Sequence, residues 1–117
     1  MQTLSVHVVD VANGRVARDM RVDVLHCAEG RWREVVSGKV AGNGLVDAIE
    51  GVPEPLGAGE YELRLHVADY YRARGTALPE PPFMGVQVFR FAIADTDRHY
   101  HLPVKLTPWG LSCFRGA

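Results

Sequence analysis

The chain has 117 residues, of which 47% are hydrophobic and 23% are charged. This composition is typical of one globular domain and is too apolar for a disordered chain. The formal net charge is −1 and no Lys/Arg run occurs, so nothing in the composition indicates binding to nucleic acid or anionic lipid. No apolar stretch is long enough to span a bilayer, and the first residues lack the features of a secretory signal. We therefore expect a cytoplasmic protein that binds neither nucleic acid nor membranes.

Short strands separated by turn residues are predicted along most of the chain. The segments with strand-like alternation or β-branched composition are residues 3–11, 20–27, 31–40, 45–49, 60–67, 85–95, 99–107 and 111–115. Asn13-Gly14 and the sequence AGNG at 41–44 indicate turns. Residues 68–75 are predicted to form one short helix. No repeat or linker divides the chain, so we predict an all-β sandwich in a single domain, residues 1–117.

Strand alternation decides which side chains share a face. His7 is predicted to lie on the same face as Ser5, away from the apolar residues of the first strand. Near the other end of the chain, His99, His101 and Lys105 are predicted to share a face opposite an apolar one. Both histidine-bearing strands are therefore expected to present polar groups away from the core.

The segment at 20–27 is predicted to be a strand with one face in solvent. Its alternating sets of side chains are Met20, Val22 and Val24, and Arg21, Asp23 and Leu25. The first set is expected to face the core and the second set to face water.

The two cysteines, Cys27 and Cys113, lack the spacing of a metal site. In a cytoplasmic domain we expect both to be reduced thiols. A nucleophilic role for Cys113 would need a cationic neighbour such as a histidine, and a packing role is favoured.

The two ends of the chain together resemble one protein family. LSVHVVDVANGRVA at 4–17 is similar to the opening segment of 5-hydroxyisourate hydrolases, the transthyretin-like enzymes of urate breakdown. HYHLPVKLTPWGLSCFRGA at 99–117 resembles their closing segment, whose usual form is HYHVPLLLSPYGYSTYRGS. Residues 57–75 resemble the strand and single short helix of the family, and residues 81–95 its next long strand. The resemblance covers nearly the whole chain.

This resemblance implies a transthyretin-like sandwich of two four-stranded sheets with one short helix. It also implies a homotetramer, built as a dimer of dimers, with a central channel. In the enzymes of the family, sites at the channel openings use more than one subunit and hydrolyse the six-membered ring of 5-hydroxyisourate without a cofactor. The implied partner is thus a small cyclic substrate. Transthyretin carries a hormone in the same channel, so the fold alone does not decide the activity.

Two residues match the catalytic histidines of the family: His7 and His101. The resemblance implies that His101 activates water, since an imidazole with a pKa of about 6.5 suits general-base work near neutrality. His7 would orient water or substrate, and Arg115 would contact a carbonyl or anionic oxygen. His99 does not match a usual catalytic position and is expected to support the site or to be solvated.

Four positions depart from the family pattern and are predicted to contact the substrate together with Arg115. Leu45, in KVAGNGLVDAI, stands where a T-x-x-D-G-R motif places an arginine. Phe114 and Ala117 replace residues whose hydroxyls the family keeps, which predicts a more apolar pocket. Lys105 replaces an aliphatic residue and would supply the missing charge, act as an amine catalyst if desolvated, or simply face solvent.

Several functions stay open at this point. His7, His99 and His101 could also bind zinc, because three imidazoles and a water form an accepted catalytic zinc site, but the resemblance implies no metal. The chain could be an ordinary 5-hydroxyisourate hydrolase, an enzyme repurposed for a less polar ring, or a non-catalytic carrier. The two retained histidines favour catalysis, whereas the absent arginine disfavours the usual substrate.

Overall fold

The computed structural model describes residues 3–52 and 56–116, which form two sheets and two short helices. The strands are β1 (Leu4–Asp10), β2 (Arg15–Val16), β3 (Arg21–Ala28), β4 (Arg31–Lys39), β5 (Gly59–His66), β6 (Val86–Ile93), β7 (Tyr100–Thr107) and β8 (Gly110–Cys113), and the helices are α1 (Asp47–Glu50) and α2 (Val67–Ala73). One four-stranded sheet has the order β2-β1-β7-β8 and the other the order β4-β3-β5-β6. The predicted sandwich of two four-stranded sheets is confirmed.

The pairing of β1 with β7 brings the two ends of the chain together. These strands run parallel, with Ser5 opposite His101 and His7 opposite Pro103. The other pairings between the described strands are antiparallel. The two segments that carry the sequence motifs are therefore neighbours in one sheet.

The core lies between the sheets and follows the predicted alternation of apolar residues. The buried side chains include Leu4, Val6, Val8, Val22, Val24, Leu63, Leu65, Leu102, Val104 and Leu106. Full burial of a side chain of this size contributes roughly 1.5–3 kcal/mol. The remaining faces of β1 and β7 are free to carry polar groups.

The helix α2 is fastened to the first sheet by the buried carboxylate of Asp10, which has no exposed surface. The Tyr70 and Tyr71 hydroxyls donate to it at 2.8 and 2.7 Å, and the Asn13 side chain donates at 2.7 Å. Burial alone would raise the pKa of Asp10, but the hydrogen bonds from Asn13, Tyr71 and Tyr70 outweigh it and lower that pKa.

The predicted strand at 45–49 is wrong. The helix predicted at 68–75 is confirmed as α2, but the described residues contain a second helix, α1, that was not predicted. Leu45 and Val46 form only isolated bridges, to His7 and Val40, and α1 begins at Asp47. Val46 and Ile49 are buried at a spacing of three, which suits a helical turn and not a strand. The sequence also gave no signal for β2, a two-residue strand that pairs with β1. Neither described helix is long and apolar enough to cross a membrane.

The prediction that Arg21, Asp23 and Leu25 face water is wrong for two of them. Asp23 is 5% exposed and Leu25 is 8% exposed. The Asp23 carboxylate accepts hydrogen bonds from the Ser37 hydroxyl at 2.6 Å and from Arg21 Nε at 2.9 Å. His66 Nε2 lies 2.7 Å from the same carboxylate. This face of β3 is polar at Asp23, but side chains from neighbouring strands cover it.

Candidate active site

Three side chains form a hydrogen-bonded chain where β1 and β7 meet. Ser5 Oγ lies 2.7 Å from His101 Nδ1 and 2.7 Å from His99 Nε2. Ser5 is 7% exposed, so its hydroxyl is largely removed from water. The Ser5 hydroxyl has one proton and two acceptor lone pairs, so it can donate to one of these imidazoles and accept from the other. We call Ser5, His7, His99 and His101 the histidine face.

His7 is held by the turn that precedes α1. Its Nε2–H donates to the Asn43 carbonyl oxygen at 3.1 Å, which leaves Nδ1 as the acceptor nitrogen of the neutral ring. The turn is itself fixed, since Gly44 N–H donates to Ala41 O and Val8 N–H donates to Gly44 O, both at 2.9 Å. His7 therefore has a defined orientation on the histidine face.

Gly44 is required by this arrangement. Its φ is +87°, in the left-handed region, and a Cβ at this position would overlap the His7 ring at Nε2. Only a residue without a side chain lets the turn pass this close to His7.

Burial, more than the neighbouring charges, keeps the His101 imidazole neutral. Burial lowers the pKa of His101 below 6.5, and the neighbouring His7 and His99 lower it further. Glu50 of α1 acts in the opposite direction. At neutral pH, His101 is thus a proton acceptor and not a cation.

The structure places Leu45 directly beside His7. The two residues form an antiparallel bridge, and Leu45 N–H donates to Asn43 Oδ1 at 3.0 Å. Leu45 is half-buried. An apolar side chain therefore borders the histidine face at the position where the family motif predicts an arginine.

The C-terminal segment reaches the histidine face through its backbone. Gly116 N–H donates to the His101 carbonyl at 2.6 Å. The Arg115 guanidinium lies over the ring of Tyr100, 4.0 Å from its centroid. Because Tyr100 faces the core and His101 faces away from it, the described contacts of the Arg115 side chain are not with the histidine face.

Of the other predicted contact residues, Lys105 is not brought to the two histidines. Lys105 is exposed, lies opposite Val9 and Ser112, and is four residues from His101, roughly 13 Å along a strand. Phe114 is 49% exposed. Ala117 lies outside the described residues.

Cys27 and Cys113 are free thiols, as predicted. Burial raises the pKa of Cys113 to about 12, so the thiol is protonated at neutral pH. A packing role fits this environment, and a thiolate nucleophile does not.

A metal centre finds no support in the geometry of the described residues. Among residues 3–52 and 56–116, no group of three or more His, Cys, Asp or Glu side chains is placed to hold a metal ion.

Sequence reasoning missed three parts of the site. Strand alternation had placed Ser5 beside His7, and that was the available signal for its role. The proximity of Asn43 and Gly44 to His7, and of Glu50 to His101, had no local signal because each contact joins residues at least 36 positions apart.

Two four-stranded sheets with histidines on adjacent strands are the arrangement expected of a transthyretin-like protein. Residues 4–116 match the model of the HIUase/Transthyretin family, and the chain belongs to that family. The resemblance seen at the two ends of the sequence is confirmed.

The relatives are named as hydrolases. The 5-hydroxyisourate hydrolase 2 of Rhizobium meliloti is 40% identical over 117 residues, 97% of this chain and 95% of that protein. The 5-hydroxyisourate hydrolase of Ralstonia nicotianae is 37% identical over 119 residues, the full length of both. The solved structure of Klebsiella pneumoniae 5-hydroxyisourate hydrolase is similar with a TM-score of 0.81 at 26% identity, over 100% of both chains.

Proposed function

We propose that this protein is a cyclic amide hydrolase that opens the ring of 5-hydroxyisourate, or of a closely related substrate, with water. The observation that carries the proposal is His101, a neutral imidazole tied at Nδ1 to Ser5. The names of the full-length relatives support the same substrate class.

In the proposed reaction His101 Nε2 takes a proton from water while the water oxygen bonds to a ring carbonyl carbon. The C–N bond of the ring then breaks, and the proton passes from His101 to the departing nitrogen. His7 Nδ1 accepts a hydrogen bond from the water or from a substrate N–H, because His7 Nε2–H is committed to Asn43. No cofactor enters this sequence of steps.

Leu45 supports a second candidate, an enzyme for a less polar ring. A guanidinium beside His7 would make charged hydrogen bonds to an oxygen-rich substrate, each worth roughly 1.5–3 kcal/mol. The leucine at this position removes such contacts from the border of the histidine face. If this protein leaves 5-hydroxyisourate intact but opens another cyclic amide, the second candidate is supported.

We also infer a homotetramer in which a second subunit completes the site. In the single chain, a cavity of about 410 Å³ is lined by residues such as Arg18, Lys39 and Arg74, and the histidine face is not part of it. Large apolar side chains are exposed on or near the edge strands β6 and β8. These are Phe83, Val86, Val88, Trp109 and Phe114.

The test is an assay in which urate oxidase generates 5-hydroxyisourate in a cuvette and the decay of its absorbance is followed. We expect the protein to accelerate the decay. His101→Gln should lower the rate of the catalysed decay at least 100-fold, the usual scale of general-base catalysis. His26→Gln, a change on β3 outside the histidine face, is the matched control. A folded wild-type protein that leaves the decay unchanged would refute 5-hydroxyisourate as the substrate.

A further inference from the structure

We propose that Ser5 is a positioning residue that fixes His101 in the tautomer needed for catalysis, and that His99 orients the Ser5 hydroxyl. This inference deepens the proposed function and rests on it for its catalytic consequence. It assigns roles to two residues that the family motif does not mark as catalytic.

The backbone fixes Ser5 relative to His101. The two residues are directly opposite each other in the parallel β1–β7 pair, and Ser5 is buried. Both hydrogen bonds of the hydroxyl are short, at 2.7 Å. A buried hydroxyl held at two such distances has little freedom to turn toward another partner.

Two proton arrangements let the Ser5 hydroxyl both donate and accept within this chain of three groups. In the first, His101 Nδ1–H donates to Ser5 Oγ, and the Ser5 hydroxyl donates to His99 Nε2. In the second, every donor and acceptor is reversed, and the Ser5 hydroxyl donates to His101 Nδ1. If both imidazoles donated to Oγ instead, the hydroxyl proton would have no acceptor among the described hydrogen bonds of Ser5. A neutral imidazole carries one proton, so the two arrangements leave opposite states at His101 Nε2.

The proposed chemistry needs the first arrangement. There His101 Nε2 has a free lone pair and can take a proton from water. After the transfer Nδ1–H still donates to Ser5, so no hydrogen bond of the chain has to be rearranged. In the reverse arrangement Nε2 is already protonated, and His101 cannot act as a base.

His99 has a definite part in this scheme, because it decides which way the Ser5 hydroxyl points. It lies just before β7, and its ring is exposed, whereas Ser5 and its bond to His101 are largely covered. Loss of His99 would leave the hydroxyl free to donate to His101 Nδ1. His99 therefore acts on catalysis through Ser5 and not through the substrate.

The experiment combines kinetics with the ring-nitrogen NMR shifts of protein labelled with 15N-histidine. In the wild type, at a pH where His101 is neutral, we expect the proton on Nδ1. Ser5→Ala should give a mixture of tautomers and lower kcat roughly 10- to 100-fold, with KM changed less than about threefold. Ser5→Thr should restore the wild-type tautomer and most of kcat, and His99→Gln should shift the tautomer in the same direction as Ser5→Ala.

Thr76→Ala, which removes a hydroxyl in the segment after α2, is the control and should change neither the His101 tautomer nor kcat. A wild-type proton on His101 Nε2, or an unchanged tautomer in Ser5→Ala, would overturn the inference. The NMR measurement of the His101 tautomer needs no substrate, so its result does not depend on whether the proposed function is correct. A fixed tautomer in a protein that leaves 5-hydroxyisourate intact would sustain the role of Ser5 and refute only the substrate.

Discussion

At the scale of single residues, the site is defined by which nitrogen of each histidine is occupied. His7 Nε2 is committed to the Asn43 carbonyl, and His101 Nδ1 is committed to Ser5. The remaining nitrogens, His7 Nδ1 and His101 Nε2, are the ones that meet water and substrate in the proposed mechanism. Two identical side chains thus have different chemical roles because their partners differ.

The first prediction concerns the pH dependence of kcat/KM. Burial, with His7 and His99, lowers the pKa of His101, so its basic form persists below pH 6.5 and the acid limb of the profile should lie there. Glu50→Gln removes the carboxylate that favours the imidazolium, so the limb should move to still lower pH. An acid limb above pH 6.5, or an upward shift in Glu50→Gln, would contradict this assignment.

The second prediction concerns Leu45. Leu45→Arg places a guanidinium beside His7 and should raise kcat/KM for 5-hydroxyisourate by roughly 10- to 100-fold, the equivalent of one charged hydrogen bond. Leu45→Lys is the control, since an ammonium lacks the two-pronged geometry and should give a smaller gain. A loss of activity in Leu45→Arg would instead show that the leucine serves a less polar substrate.

At the scale of elements, the histidine face depends on two non-local attachments. The parallel β1–β7 pair sets Ser5 against His101, and the turn at 41–44 sets the backbone against His7. Only the turn signal of AGNG was visible in the sequence. Its contact with His7 was not, because turn residues specify a bend and not what packs against it.

The third prediction tests the turn at 41–44 by substituting each of its two glycines in turn. Gly44→Ala puts a Cβ into the His7 ring and forces alanine into a left-handed conformation, at a cost of about 1–2 kcal/mol from the backbone alone. We expect a lower free energy of unfolding in urea and a loss of activity. Gly42→Ala, where a Cβ meets nothing within 4 Å, should change stability by less than about 1 kcal/mol. Equal effects at both positions would rule out the proposed contact.

At the scale of the whole molecule, the exposed apolar residues lie where we propose that further subunits attach. β6 and β8 are edge strands, and an unpaired edge is a template for pairing with another chain. Val88 on β6 is 52% exposed. An interface along these edges is compatible with a site that needs a second subunit.

The fourth prediction concerns the assembly. Sedimentation velocity should give about four times the chain mass of 12.9 kDa. Val88→Glu puts a charge into the edge and should dissociate the assembly, together with most of the activity. Val35→Glu is the control: β4 is also an edge strand, but Val35, 38% exposed, lies at the edge opposite to β6 and outside the set of exposed apolar residues around β6 and β8. A monomeric and fully active wild type would disprove the tetramer.

The sequence by itself determined the sandwich, the family and the face on which each histidine lies. These follow from period-two alternation and from the two motif-bearing ends, which are local features of the chain. Tertiary structure alone decided what meets on those faces. Ser5 joins histidines 94 and 96 positions away, Asp23 is covered by neighbouring strands, and residues 47–50 turn into a helix where a strand was predicted. Alternation records the direction of a side chain, whereas its partner depends on which distant strand the chain places beside it.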